Sequence, residues 1–173
     1  MKKWEISKAQ KKLLDNLFKD IKVSEIKKVL DMGAGRTSVH YLANRFKKIN
    51  IEAVVYPGDT RKIKPILECV SEKNYEIIES DIRNFKNKKV DLVLAHMFLG
   101  EAEKFGKNKF NNVLKSLFAI KTKYLIIINR EDDKIDYNLL ARYIKKFGEI
   151  LEIVDQPTED GHDCIGFTIK FKN

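Results

Sequence analysis

The stretch Lys28-Val29-Leu30-Asp31-Met32-Gly33-Ala34-Gly35-Arg36-Thr37 decides how the rest of the chain is read. A short apolar strand ends on an acid, turns on two glycines and runs into a helix. That helix carries Val39, Leu42, Ala43 and Phe46, the spacing of one buried face. Gly33 and Gly35 permit a sharp turn and leave no side chain between backbone and ligand. The amides at the start of the following helix are suited to a carboxylate or phosphate. Asp31 narrows the ligand: a carboxylate beside the turn repels a pyrophosphate and attracts an ammonium group.

Working outward, apolar runs alternate between strand and helix character, the pattern of a parallel α/β sheet. Leu13, Leu14, Leu17, Phe18 and Ile21 define an opening helix, so residues 1–22 are expected as a helical extension packed on a single domain spanning residues 1–173. Strands are expected at Lys28–Met32, Ile51–Tyr56, Tyr75–Ile78, Val90–Ala95 and Tyr124–Asn129. Pro57-Gly58 breaks the second strand, and Asp59 stands where it caps a helix with Ile63, Ile66, Leu67 and Val70 inward. A later helix turns Phe110, Val113, Leu114 and Leu117 inward. Another, capped by Asp133 or Asp136 and ended by Gly148, buries Leu139, Leu140, Tyr143, Ile144 and Phe147. Glu149–Val154 and Ile165–Phe171 follow, joined by a polar loop too short for a parallel crossover, so they pair antiparallel.

Composition excludes several classes. Two isolated cysteines, Cys69 and Cys164, make neither a disulfide framework nor a metal cluster, and three cysteines for an iron–sulfur centre are lacking. No apolar run approaches the roughly 20 residues that span a bilayer, and the start Met1-Lys2-Lys3-Trp4-Glu5 lacks the apolar core of a secretory signal. A reducing cytoplasm is the expected setting. The net charge of +9 is built almost entirely from lysine, and its distribution matters more than its sum. No acid lies between Lys104 and Arg130, a segment holding Lys104, Lys107, Lys109, Lys115, Lys121 and Lys123. That segment reads either as a solvated lysine face or as a surface for a polyanion.

The strand, acid, glycine pair and helix resemble the first motif of class I S-adenosylmethionine (SAM)-dependent methyltransferases, with Thr37 where the third glycine of the motif would stand. Seven strands ending in an antiparallel hairpin also resemble the whole layout of that family, so the likeness spans nearly the full chain. It implies a single Rossmann-like three-layer α/β domain, with a mostly parallel seven-stranded sheet and an antiparallel C-terminal hairpin. It further implies SAM as cofactor, its methionyl end on Gly33 and Gly35 and its ammonium group ordered by Asp31. By the same resemblance Asp81 and Ile82, in Glu79-Ser80-Asp81-Ile82-Arg83, bind adenine. Asp59 is either the ribose acid, three residues later than Tyr56 at the strand end, or only a helix cap; Asp81 has the alternative of a plain turn aspartate.

Ligands of such sheets lie over the carboxyl ends of the strands, where the strand order reverses. The fourth strand leaves at His96-Met97-Phe98-Leu99-Gly100-Glu101, which gives His96 as a general base or a packed histidine and Phe98 as a stacking platform for a planar acceptor. The Asn/Asp-Pro-Pro-aromatic motif of many base-amine methyltransferases is absent there. Lys104 and Lys107 follow at once, which favours RNA (rRNA or tRNA) as acceptor over a small molecule. Asp91 resembles the strand-start aspartate of the family, a structural residue. His162, flanked by Asp160 and Asp163 in the last loop, makes a poor zinc site, and no metal is expected. Two readings from other classes compete: a dinucleotide-dependent oxidoreductase, disfavoured by Asp31 and the terminal hairpin, and a methyltransferase-like fold that serves only as a binding module.

Overall fold

The fold comes from a computed structural model that describes residues 4–103, 107–157 and 163–172, without the side chains of residues 101–103, 107 and 108. Seven strands form one sheet: β1 (Val29–Met32), β2 (Ile51–Val55), β3 (Tyr75–Glu79), β4 (Leu92–His96), β5 (Tyr124–Arg130), β6 (Gly148–Pro157) and β7 (Asp163–Phe171), in the order β3-β2-β1-β4-β5-β7-β6. Strands β1 to β5 pair in parallel, while β7 runs antiparallel between β5 and β6. The central strands are buried from end to end, which is why they read as continuous apolar runs rather than alternating ones. The expected three-layer α/β architecture with a terminal hairpin is the one observed.

Helices α1 (Lys8–Leu17), α2 (Arg36–Arg45) and α3 (Thr60–Cys69) cover one face, and α4 (Phe98–Glu103), α5 (Lys107–Phe118) and α6 (Tyr137–Phe147) the other. Parity along the strands sorts the core: Leu30, Val93 and Ile127 pack toward α5 and α6, whereas Val29, Leu92 and Ile126 pack toward α1 and α2. Ser7 starts α1 by accepting from the Gln10 amide at 3.2 Å. The buried side of α1 then lies on the terminal hairpin, where the Thr168 hydroxyl donates to the Leu17 carbonyl at 2.6 Å and the Gln156 amide to that of Ala9 at 2.8 Å. Its far end meets α2 through Tyr41 Oη donating to Asp15 at 2.9 Å and Arg45 donating to the Phe18 carbonyl at 3.1 Å.

Asp91, just before β4, accepts from the amides of Lys27 and Lys28 at 2.9 and 3.0 Å and so ties the starts of the two central strands together. Two expectations fail locally. Leu67, read as inward, is 63% exposed: α3 covers the narrow β2–β3 margin of the sheet, and Ile66 alone among its residues is fully buried. The six-residue helix α4, absent from the sequence reading, forms directly after β4.

Phe18 has no exposed surface and its ring sits 5.2 Å from Tyr41 and 6.2 Å from Phe46. Phe18→Ala should lower unfolding free energy by about 3–5 kcal/mol in urea titrations. Leu67→Ala should change it by less than about 0.5 kcal/mol, as expected for an exposed site.

Candidate active site

The order of strands reverses between β1 and β4, which opens a crevice above their carboxyl ends. A cleft of about 530 Å³ lies there, walled by Met32 and Gly33 after β1, Tyr56 to Lys62 after β2, Ser80 to Arg83 after β3, Phe98 after β4, and Lys109, Asn112 and Val113 of α5. Gly33, Asp59, Asp81, Ile82 and Phe98 thus meet in one place. Their assignment in sequence order to successive strand ends is what brings them together.

Gly33 is held twice over. Its φ is +72°, and a Cβ there would stand 2.9 Å from Phe98 Cδ2, so the ring closes over the glycine turn. Gly35, by contrast, has extended backbone and begins α2; a Cβ there would meet nothing within 4 Å, so open space fronts it. Ser38, itself fully buried, fixes this turn by accepting from the Gly35 amide and donating to the Gly35 carbonyl, both at 3.1 Å.

Beneath the turn sits Asp31, with no exposed surface and no hydrogen-bond partner on either carboxylate oxygen. Burial raises its carboxyl to about 7. Ser38 and the Lys62 ammonium pull it only partly back, because the hydroxyl is committed to Gly35 and Lys62 Nζ donates to the Gly33 carbonyl at 3.2 Å.

Asp59 occupies the cap position of α3, yet its side chain makes no cap hydrogen bond. It accepts instead from Arg61 Nε at 3.2 Å, and Arg61 is almost wholly exposed. The turn before it is anchored from the neighbouring strand, where Glu79 accepts from the Gly58 amide at 2.8 Å. Asp81 accepts from the Arg83 amide at 2.9 Å and from its guanidinium at 2.8 and 2.6 Å. That bidentate clamp holds its carboxyl below the usual range and starts the 3-10 turn Ile82–Phe85, which buries Ile82.

His96 ends β4 but does not line the cleft; it is partly buried on the face that Asp31 shares. Burial, and then the Lys62 charge, drive its imidazolium down to about 4, so the ring is neutral near pH 7. A base matched to neutral pH needs a value near that pH, so the expected role of His96 loses strength. The next residue, Met97, takes φ +54° while its amide donates to the Ile128 carbonyl at 2.8 Å. Left-handed backbone at a side chain of this kind costs of order 1–3 kcal/mol and gathers at functional loops.

Lys104 lies outside the described residues, as do His162 and its flanking acid Asp160, and nothing is described of the Lys107 side chain. Arg61, Lys62 and Arg83 are cleft residues to which the sequence reading gave no role, while Tyr56 and Lys109, named there at a strand end and in the acid-free segment, also line the cleft. Arg61 and Lys62 had a usable signal, since they follow directly on a turn at a strand end; Lys109 had none, because only the fold brings α5 over β1. Among the described residues no group of three or more His, Cys, Asp or Glu side chains converges to hold a metal ion, and no helix is long and apolar enough to cross a membrane.

No protein-family model matches the chain, and no curated protein matches it in sequence. Solved structures do match in fold. The N-methyltransferase NodS from Bradyrhizobium japonicum superposes with a TM-score of 0.69 at 14% identity, over 95% of this chain and 94% of that one. The 1,6-didemethyltoxoflavin-N1-methyltransferase from Burkholderia thailandensis, crystallised with its substrate and S-adenosylhomocysteine, gives 0.69 at 14% identity over 96% and 79%. A proposed RNA methyltransferase from Pyrococcus horikoshii gives 0.66 at 14% identity over 100% and 93%. The chain has the fold of the class I SAM-dependent methyltransferases.

The buried acid makes its own prediction. A carboxyl raised from 3.8 to about 7 weakens the folded state as pH climbs through that window, since the unfolded chain ionises first. Ligand-free Asp31→Asn should therefore gain on the wild type by about 2–3 kcal/mol between pH 5 and pH 8. Denaturant unfolding at the two values measures the difference; a constant gap would contradict an ionisable, unpaired Asp31.

Proposed function

We propose that this chain is a SAM-dependent methyltransferase. The observation that carries the reading is Asp31, a fully buried carboxylate without a hydrogen-bond partner at the end of β1, beside a glycine turn. Leaving such a group unpaired is costly, and a ligand ammonium supplies the missing partner. The residues present fit SAM. Asp31 and the Gly33 turn would hold the ammonium, the open space before Gly35 would admit the methionyl end, Asp59 the ribose, and Asp81 with Ile82 the adenine. When bound, SAM supplies an electrophilic methyl group on a sulfonium centre. The chain's own contribution is alignment and exclusion of water by apolar side chains of the cleft, Phe98, Ile82 and Val113 among them.

His96, neutral near pH 7 and outside the cleft lining, is not placed to ionise the acceptor. That favours an acceptor atom with an available lone pair. RNA is the proposed acceptor class: Arg61, Lys62, Arg83 and Lys109 line the cleft, and the sequence from Lys104 to Arg130 carries no acid. A second reading, a methyltransferase-like binding module, is favoured by one observation, the clamp of Arg83 on the Asp81 carboxylate proposed for adenine.

Calorimetric titration with S-adenosylhomocysteine should give micromolar binding, weakened at least about tenfold in Asp31→Ala, the least that losing a hydrogen bond to a charged group implies. Binding of NADH instead would overturn the reading. Methyl transfer to unmodified rRNA or tRNA separates enzyme from binding module. Four phosphate contacts would cost RNA affinity about fiftyfold between 50 and 200 mM salt, whereas salt-independent binding would remove RNA as the acceptor.

A further inference from the structure

Two adjacent asparagines, Asn111 and Asn112, stand in the middle of α5. Asparagine is a poor residue for a helix interior, because its carboxamide competes for backbone hydrogen bonds. Asn111 has a structural reason to be there: its Oδ1 accepts from the Tyr143 hydroxyl at 3.1 Å and joins α5 to α6. The Asn112 carboxamide has no hydrogen-bond partner among the described residues; only the backbone carbonyl of Asn112 is engaged, by the Ser116 hydroxyl donating at 2.9 Å.

Helical spacing brings Asn112 to the cleft. Lys109, Asn112 and Val113 fall at i, i+3 and i+4 and share one side of α5, while Phe110, Leu114 and Leu117 belong to the core. Helix α5 packs on the 3-10 turn Ile82–Phe85, so Asn112 and Val113 stand at the part of the cleft that Ser80 to Arg83 wall from β3. The polar side chains contributed there by the turn are already engaged. The Asp81 carboxylate accepts from the Arg83 amide and twice from its guanidinium, and the Ser80 hydroxyl accepts from Asn84 Nδ2 at 3.0 Å. A carboxylate moreover only accepts, whereas a carboxamide offers an acceptor oxygen and a donor nitrogen side by side. Ile82 and Val113 add apolar surface from the two facing elements. Such a place fits a flat heterocycle whose edge carries a donor next to an acceptor. Adenine has that edge in its exocyclic amine and the adjoining ring nitrogen N7, a pair that one asparagine can meet with two hydrogen bonds.

We infer that Asn112 reads the base edge of the bound nucleoside, accepting from the adenine amine through Oδ1 and donating to N7 through Nδ2. The inference rests on the reading of the cleft as a SAM site and refines its adenine end. Asp81, gripped by Arg83, then serves the base by holding the turn in shape, and the discrimination between bases comes from α5.

The test is a calorimetric titration of wild type, Asn112→Ala and Asp81→Asn with S-adenosylhomocysteine and with S-inosylhomocysteine, in which an oxygen replaces the amine so that the edge presents two acceptors. Wild type should prefer the adenosyl ligand at least about fivefold, the lower bound for one asparagine read against the wrong base. Asn112→Ala, a change to a better helix former at an exposed position, should lose most of that preference by weakening the adenosyl ligand alone. Asp81→Asn should weaken both ligands alike and keep their ratio, as expected of a residue that only shapes the turn. A preference that survives in Asn112→Ala overturns the inference, as does one that vanishes in Asp81→Asn, and in both cases the SAM reading stands. Equal binding of the two ligands by wild type overturns it as well. If neither ligand binds wild type, the SAM reading itself fails and the inference falls with it.

Discussion

Burying an ionisable group without a partner opposes folding, and this chain does it in a strand beside the middle of its sheet. Asp31 is the last residue but one of β1, the strand flanked by β2 and β4, beneath a glycine turn. The surrounding structure makes the burial tolerable. Strands β2 and β4 hold β1 in parallel register on both sides, and Asp91 ties the strand starts together from the opposite end. Helix α2 then closes one side through Val39, Leu42 and Phe46, none of which is more than 1% exposed. A scaffold this well packed can hold one uncompensated carboxylate in place, which is what a pre-organised ligand site requires.

The terminal hairpin and α1 serve the same end at a distance. Because β7 runs antiparallel into the sheet beside β5, the hydrophobic face of the second half of the sheet needs a cover, and α1 supplies it from the N-terminal side of the chain. Trp4 belongs to this cover rather than to the cleft: its ring meets His40 edge-on at 5.4 Å with the Arg36 guanidinium over it at 5.0 Å.

Much of this architecture was legible in the sequence because its signals are local. Continuous apolar runs mark buried strands, and a short polar link between the last two runs forces an antiparallel pair. Gly33 reads as a turn, and the acids near three strand ends converge because strand order assigns them to one edge of the sheet. What escaped was set by contacts between separate elements. Leu67 keeps helical spacing yet faces solvent, because sheet width rather than periodicity decides what α3 covers. Asp59 has the residue type and position of a helix cap, yet turns to Arg61. The lowered imidazolium of His96 and the raised carboxyl of Asp31 both come from burial by separate elements, and both feel the Lys62 charge, which lies 34 and 31 residues away in sequence and opposes the rise at Asp31.

The cations answering these acids differ in a way that their chemistry explains. Arg83 grips Asp81 with a planar fork two residues away, a short and rigid arrangement that keeps the turn after β3 in shape. Lys62 reaches Gly33 across the cleft with a point charge on a flexible stem, donating to the Gly33 carbonyl at 3.2 Å. A guanidinium in that place would bring several donors and a second plane of contact, and would be harder to dislodge.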